Sequence, residues 1–413
     1  MPAEKELIPH LFRTEYRKII AVLCKAFGME HIEVAEDITS DTFLLASETW
    51  GIKGLPENPV AWLYAVAKNK AKDQLKHHLV FTQKVAAELK NNRDVYQEPE
   101  IDLSGKNIND SQLQMMFAVC HPLIPTESQI GLSLSVLCGF GVEEIADAFL
   151  SNRDTIYKRL ARAKEKLRSG KVVMAVPGPA EINGRLETVL TTLYLLFNEG
   201  YYSLSQNTPL RKDLCLEAVR LNYLLVENEA TDTPVVNALL SLMCFHASRF
   251  DARTDSRGEL VLYEDQDRSL WSEELIAKGR YYFNKAARSK EVTKFHLEAA
   301  IASIHSEGTD TREKWEQVLQ LYNKLLLIAY SPIAALNRTY ALSKARDKQT
   351  ALVEAKKLNL SDHPLYHFLL GELYTDIHTG NALDHLKKAI DLAKSETEKI
   401  AARKAMAKIN LTQ

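Results

Sequence analysis

The chain is 413 residues long and nearly neutral, with 52 Lys and Arg against 54 Asp and Glu and a net charge of −2 at pH 7. At roughly 150 residues per domain, this length predicts two or three domains. Hydrophobic residues make up 46% and charged residues 26% of the chain, a balance that is ordinary for folded protein and argues against a disordered chain. Gly and Pro are sparse, whereas Ala, Leu, Lys and Glu are abundant, so we predict an all-α fold.

The cysteines and the N-terminus bear on location. The five cysteines form no C-x-x-C pair, which argues against a disulfide framework or a structural zinc site and favours a reducing cytoplasm. Cys120-His121 has no second Cys/His pair nearby, so we expect no metal. The N-terminus lacks a signal-peptide pattern, and no uncharged apolar run reaches the ~18 residues of a membrane span. We therefore expect a cytoplasmic protein without a membrane partner.

Three helices are predicted in the first 80 residues. Leu7–Phe27 has apolar residues at helical spacing, and His31–Trp50 forms the second helix. The segment GIKGLPENP, residues 51–59, contains two Gly and two Pro and predicts a loop. The third helix is expected over Val60–Leu79. We assign residues 1–80 to a first helical domain.

The second of these helices is acidic and contains no Lys or Arg. The carboxylates of this stretch are Glu30, Glu33, Glu36, Asp37, Asp41 and Glu48. An acidic surface repels DNA and suits a basic protein partner. A solvated structural helix is an equally good interpretation of such a run taken alone.

The third helix is basic, with four lysines opposing the single Asp73. The lysines are Lys68, Lys70, Lys72 and Lys76. Trp62 and Tyr64 precede them, and aromatic rings beside cations suit unpaired bases, which stack on the rings while cations hold the backbone. The alternative, which we favour for Trp62, is that Trp62, Leu63 and Val66 pack in the core.

A polar, turn-rich stretch over 81–109 predicts a linker, and helical periodicity resumes at Ser111. It continues to Arg168, so we assign a second domain to 110–171. The segment VPGPA, Val176–Ala180, contains helix-breaking Pro and Gly and predicts another boundary.

A helix-turn-helix pattern spans Val142–Arg168, and residues 153–171 contain eight Lys/Arg against two acidic residues. The spacing predicts a buried stripe and a cationic face on the second helix. The stripe is Ile156, Leu160, Ala163 and Leu167; the face is Lys158, Arg159, Arg162 and Lys166. Small Ala146 suits the packing position of the first helix, and Ser151 or Asn152 can cap the second. A basic helix alone is usually a solvated face, but behind such a turn it indicates DNA binding.

Residues 181–413 predict a helical-repeat domain with a 34-residue period typical of tetratricopeptide repeats. Leu336, Tyr340, Leu352, Ala355 and Leu358 recur as Leu370, Tyr374, Leu386, Ala389 and Leu392. Asn337 stands where the second copy has Gly371, so the motif is degraded. Residues 181–331 do not show the period clearly, and a generic helical bundle remains the alternative.

Several motifs together resemble a known family. In this order, EDITSDTFLLA, PENPVAWLYAVAKNKAKD and RLARAKEKLR resemble a bacterial RNA polymerase sigma factor of the extracytoplasmic-function subfamily. QLQMMFAVCHPLIP, YLLFNEGYYS, EDQDRSLW, FHLEAAIASIHS and SPIAALNRTYAL resemble the subgroup with a C-terminal tetratricopeptide-like domain. The resemblance implies two small helical domains, region 2 and region 4, with core RNA polymerase and promoter DNA as partners. It suggests regulation by residues 181–413, which we expect to contact the sigma domains.

The resemblance also implies residue roles. Polymerase binding falls on Glu36, Asp37, Asp41 and Phe43. Recognition of the −10 element falls on Lys68, Asn69, Lys72, Asp73 and Lys76, and the 51–59 loop would accept an extruded base. Recognition of the −35 element falls on Arg153, Thr155, Lys158, Arg159, Arg162 and Lys166. Family members often have Arg where Lys68 and Lys76 stand, and SNRDTIYKRL differs from the subgroup, so the promoter sequence can differ.

No sequence feature indicates an enzyme. H-E-x-x-H, G-x-S-x-G and Walker motifs are absent, so we predict no catalytic residue and no cofactor. Asp251–Asp267 resembles an acidic metal loop, but Arg253 and Arg257 occupy ligand positions of the calcium pattern. We interpret it as a turn between helices; the alternative is a functional loop that contacts the polymerase or the N-terminal domains.

Two other functions stay open. The first is a helix-turn-helix regulator that acts outside the polymerase, which would have no need for the acidic second helix. The second is a tetratricopeptide scaffold, which would bind peptides in its concave groove and show no salt-dependent DNA affinity.

Overall fold

The protein is all-α, as the composition predicts. The computed structural model describes residues 3–88, 101–149, 151–201, 212–256, 259, 261–308, 310–393 and 395–411. Helices and short 3₁₀ or π turns make up the regular structure of these ranges, which contain no β-sheet. The chain divides into two compact units, Met1–Leu195 and Leu196–Gln413.

The described residues of unit 1 form eight helices, of which the last continues into unit 2. They are α1 (Ala3–Phe27), α2 (Ile32–Lys53), α3 (Pro59–Glu88), α4 (Gly105–Val119), α5 (Thr126–Leu132), α6 (Val142–Ala148), α7 (Arg153–Ser169) and α8 (Ile182–Tyr201). A π-helical turn over Ser133–Leu137 extends α5.

Helix boundaries in unit 1 differ from the predicted ones at the loops. Gly51 is helical, and α2 ends only before Gly54, whose φ of 81° lies in the left-handed region that favours glycine. The predicted 51–59 loop therefore shortens to 54–58. Helix α3 runs to Glu88, inside the predicted linker, and α4 already begins at Gly105 because Ser104 caps it. Residues 89–100 of the predicted linker lie outside the described residues.

Helix α1 forms the centre of unit 1. Its Ile19, Ile20 and Leu23 are fully buried, and it packs against α2, α3 and α4. Arg17 on the same helix is buried and donates to the carbonyl of Cys138, 3.4 Å away, after the π turn. The residues predicted as two small domains, 1–80 and 110–171, therefore share one compact unit in this structure.

Unit 2 holds the remaining helices of the described residues. They are α9 (Lys212–Val226), α10 (Pro234–Ala247), α11 (Glu273–Ala286), α12 (Lys294–Ser306), α13 (Arg312–Ile328), α14 (Pro332–Ala345), α15 (Lys348–Lys356), α16 (Pro364–Tyr374), α17 (Thr379–Leu392) and α18 (Glu396–Leu411). Consecutive helices pack against each other through most of the unit, and α10 is buried on nearly every side. Helices α14, α16 and α18 begin at regular intervals, and each packs beside the next.

The predicted 34-residue repeat corresponds to the helix pairs α14–α15 and α16–α17. Its strongest core positions are buried in both copies: Leu336, Leu352 and Ala355 in the first, and Leu370, Leu386 and Ala389 in the second. A Cβ on Gly371 would lie 2.6 Å from Leu386, so glycine permits the close approach of α16 and α17. Asn337 is exposed, which explains why the first copy needs no glycine there.

Candidate nucleic-acid interface

Helices α6 and α7 form the predicted helix-turn-helix. Ile145 and Ala146 of α6 are buried, as expected for the packing positions of the first helix. Asn152 caps α7, because its Oδ1 accepts a hydrogen bond of 2.8 Å from the backbone N–H of Thr155. The four residues predicted as the buried stripe of α7 are its buried residues: Ile156, Leu160, Ala163 and Leu167. The predicted amphipathic division of α7 is confirmed.

The outer face of α7 is cationic and exposed. Lys158, Arg162 and Lys166 follow at four-residue intervals and are exposed; we call them the cationic row. Thr155 and Arg153 are also exposed, and Arg153 forms a solvent-exposed ion pair of 3.0 Å with Glu143 of α6. Successive members of the row are about 6 Å apart along the helix axis, a spacing suited to phosphate oxygens along one groove edge.

Arg159 differs from the other predicted −35 residues. Its guanidinium forms an ion pair of 3.0 Å with Glu127 of α5 and lies 5.6 Å from the centre of the Phe149 ring. Both contacts are within the helix-turn-helix region, so Arg159 fixes α7 in place. To contact DNA it would have to leave Glu127.

A third side of α7 contacts the acidic start of α2. Lys164 Nζ lies 2.6 Å from a carboxylate oxygen of Glu36, and the two side chains are only 14% and 22% exposed. Arg168 forms a second ion pair of 2.6 Å with Glu33 and donates to the carbonyl oxygen of Glu30. The sequence predicted a cationic face and an acidic helix, but not that they meet.

The four predicted polymerase-binding residues occupy different environments. Asp37 and Asp41 are exposed, and Asp41 pairs with Lys70 of α3 at 3.3 Å. Glu36 is engaged by Lys164. Phe43 is buried, with its ring centre 5.1 Å from that of Phe12. The reason is helical spacing: Thr39, Phe43, Ala46 and Trp50 form the buried face of α2.

The residues predicted to recognise the −10 element lie along α3. Asn69, Lys72, Asp73 and Lys76 are exposed, whereas Lys68 is half-buried. Lys68 lies near Asp102, whose pKa is lowered mainly by hydrogen bonds from Ser104 and further by this lysine. Three of the predicted −10 residues are therefore exposed and can donate hydrogen bonds: Asn69, Lys72 and Lys76.

The two aromatic residues before these lysines are not free platforms for bases. The half-buried Trp62 ring packs edge-to-face against Trp50, with 5.3 Å between centres. Tyr64 donates its hydroxyl proton to Glu15, 2.5 Å away, and burial together with this bond raises the pKa of Tyr64. Leu63 is fully buried, so the core interpretation is confirmed for Leu63 and in part for Trp62.

Two exposed apolar residues near this site were missed in the sequence. Ile52 is 87% exposed at the end of α2, and Leu55 is exposed beyond Gly54. The sequence signal that could have identified them is their position on either side of Gly54, in the loop between two predicted helices. An exposed apolar loop tip suits contact with an unstacked base, which presents an apolar face.

Helix α8 begins inside unit 1, although its residues were assigned to the C-terminal domain. Arg185 donates a short hydrogen bond to the carbonyl of Phe117 on α4. Thr192 lies beside Cys120 at the end of the same helix. The first half of α8 is therefore a structural part of unit 1.

The acidic loop, which we define as residues 251–267, contains ion pairs in its described part. Among the residues described, no group of three or more His, Cys, Asp or Glu is arranged to hold a metal. Its carboxylates instead pair with lysines of unit 2. The pairs are Glu264–Lys344, Asp265–Lys408, Glu259–Lys404 and Asp251–Lys212.

All five cysteines are buried and free. Within the described ranges, no helix has both the length and the apolar character to cross a membrane.

Fold and site together define an all-α protein with two contacting helices, α6 and α7, in unit 1 and helix pairs in unit 2. A family of unknown function (DUF6596) matches residues 185–287, which include most of α8 and the acidic loop. An uncharacterized protein of Rhizobium meliloti (strain 1021) is 32% identical over 373 residues, which are 89% of this chain and 88% of that protein. The chain belongs to the same family as this R. meliloti protein. No solved structure matches the chain.

Proposed function

We propose that the protein is a sigma factor, which binds core RNA polymerase and directs it to promoters. The observation that carries this proposal is the pair of opposite surfaces in unit 1. The exposed cationic row of α7 suits DNA, and the exposed Asp37 and Asp41 of α2 suit a basic protein surface.

The DNA side of the proposal rests on the cationic row. Lys158, Arg162 and Lys166 project from the second helix of a helix-turn-helix, the helix that enters the major groove in proteins with this motif. Each neutralised phosphate contributes about −0.9 to the slope of log K against log salt. The row alone therefore accounts for a slope of about −3, and the exposed α3 lysines Lys72 and Lys76 would add to it.

The polymerase side rests on charge and exposure. Asp37 is exposed, and Asp41 forms a solvent-exposed ion pair with Lys70. Exposed ion pairs contribute about 0–1 kcal/mol, so Asp41 is available at small cost. Phe43 takes part only as a core residue that supports this surface.

The test is co-purification with bacterial core RNA polymerase, followed by run-off transcription. The double variant Asp37→Lys, Asp41→Lys should lose polymerase affinity. Glu48→Lys, an exposed charge reversal on the same helix, is the matched control and should retain it. If the wild-type chain neither joins the polymerase nor confers start-site selection on it, the proposal is wrong.

A helix-turn-helix regulator outside the polymerase is a second candidate. It is favoured by the ion pairs of Glu33 and Glu36 with α7, because these give the acidic helix a structural role within unit 1. Such a regulator would bind DNA with unchanged affinity in the Asp37→Lys, Asp41→Lys variant and would not form a complex with polymerase.

A further inference from the structure

The face formed by α14 and α18 in unit 2 is basic and is covered by the acidic loop of the same chain. Lys344 of α14 lies 2.6 Å from Glu264 of the loop. Lys408 of α18 lies 3.0 Å from Asp265, and Lys404, one turn earlier on α18, lies 2.6 Å from Glu259. Helices α14 and α18, which both pack against α16, thus contact one stretch of the loop that includes the 3₁₀ turn Tyr263–Asp265.

Aromatic contacts accompany these ion pairs. Tyr340, one turn before Lys344, donates a short hydrogen bond to Glu264. Tyr263 of the loop receives a 3.3 Å hydrogen bond from Lys314 and donates one of 2.8 Å to the carbonyl of His305. The contacted loop segment has the pattern Tyr-Glu-Asp, with the aromatic residue turned toward α12 and α13 and the two carboxylates toward the lysines.

The carboxylate contacts of the loop are weak enough to exchange. The loop carboxylates in these three pairs are 29% to 54% exposed, and their lysines 35% to 68%. Ion pairs of this exposure contribute little and are screened by salt. Burial raises the pKa of Glu372 on the intervening α16, and the nearby charge of Glu264 raises it further, so the loop also experiences repulsion there.

We propose that this face, formed by Tyr340, Lys344, Lys404 and Lys408, binds an acidic segment of a partner protein that displaces the carboxylates of the acidic loop. The occupant seen in the structure is a polypeptide with an aromatic residue followed by two carboxylates, and the partner segment carries the same chemistry. Stacked helix pairs bind peptides on a continuous face, which fits this arrangement. None of these four residues is among those assigned to DNA or polymerase binding.

The test uses the full chain and a synthetic peptide, ELVLYEDQD, with the sequence of residues 259–267. Its affinity is measured by fluorescence anisotropy for the wild type and for a loop variant, Glu264→Gln with Asp265→Asn. The loop variant should bind the peptide about tenfold more tightly, which corresponds to about 1.4 kcal/mol, because its own segment competes less. Adding Lys344→Ala and Lys408→Ala to the loop variant should abolish the gain.

Two controls make the result specific. Lys348→Ala removes a lysine of similar exposure whose partner is Asp376, outside the acidic loop, and should leave peptide affinity unchanged. The peptide ELVLYQNQD, which lacks the two carboxylates, should not bind. In the wild type, excess ELVLYEDQD should increase amide hydrogen exchange in residues 261–267.

The proposal is overturned if the loop variant and the wild type bind ELVLYEDQD equally or not at all. Equal binding of the two peptides also overturns it, since the carboxylates would then play no part. If the loop variant loses its helical circular dichroism signal, the hydrogen-exchange measurement on the wild type serves as the test instead. Unchanged exchange at residues 261–267 in the presence of ELVLYEDQD then overturns the proposal.

Discussion

The contact between α7 and α2 gives the sharpest prediction. Lys164 and Glu36 are joined at 2.6 Å and are 14% and 22% exposed, whereas Arg168 and Glu33, also at 2.6 Å, are 38% and 58% exposed. Removing one partner of a fully buried pair costs about 3–5 kcal/mol, and an exposed pair contributes about 0–1 kcal/mol. We expect Lys164→Met to cost about 2 kcal/mol and Arg168→Met less than about 1 kcal/mol.

The measurement is amide hydrogen exchange of α7 in the full chain, read by mass spectrometry. A cost of about 2 kcal/mol in local opening accelerates exchange about 30-fold. Glu36→Gln should have a similar effect, and the double variant Lys164→Met, Glu36→Gln should be less than additive because the two residues share one contact. Equal acceleration by Lys164→Met and Arg168→Met, or strict additivity in the double variant, would refute the reasoning from burial.

Three further predictions concern stability. Burial, reinforced by Lys314 and Arg249, lowers the pKa of His305 to about 3, so this residue stabilises the fold above the unfolded pKa of about 6.5, and that contribution is lost as pH falls from about 6.5 toward 3. In urea titrations, His305→Gln should reduce the loss of stability between pH 7.5 and 5.0 by about 2 kcal/mol; an unchanged loss would contradict this. Gly371→Ala should cost about 1–3 kcal/mol in thermal or urea unfolding because its Cβ meets Leu386, whereas Gly51→Ala, with open space around it, should be neutral or stabilising. Truncation after residue 180 should lower the melting temperature of unit 1 more than truncation after residue 201, because only the first removes the Arg185 contact with α4; equal melting temperatures would show that α8 is dispensable.

Local periodicity predicted the parts of the fold that one helix determines by itself. The buried stripe of α7, the cap at Asn152 and the packing role of Ala146 all follow from spacing and residue type, and the structure has each of them. The burial of Phe43 could have been predicted in the same way, since it shares a helical face with Ala46 and Trp50. The motif resemblance instead predicted Phe43 as a polymerase-binding surface residue.

Long-range contacts could not be predicted from the sequence. Lys164 and Glu36 are 128 residues apart, and nothing in either segment encodes which acidic residue meets which lysine. The same holds for the acidic loop, whose carboxylates resembled metal ligands until their lysine partners on α14 and α18 were located. The extension of α3 to Glu88 was missed because the helical periodicity is weak from Phe81 onward.

The burial of every cysteine determines how the protein meets oxidants and thiol reagents. Burial raises the pKa of Cys215 and of Cys244 to about 12, so almost no thiolate forms at neutral pH. Peroxide and alkylating agents react with the thiolate, and these side chains are also shielded from them by packing. The thiols of the folded chain are therefore inert toward mild peroxide, and a fluorophore attached to a newly introduced surface cysteine would report on that position alone.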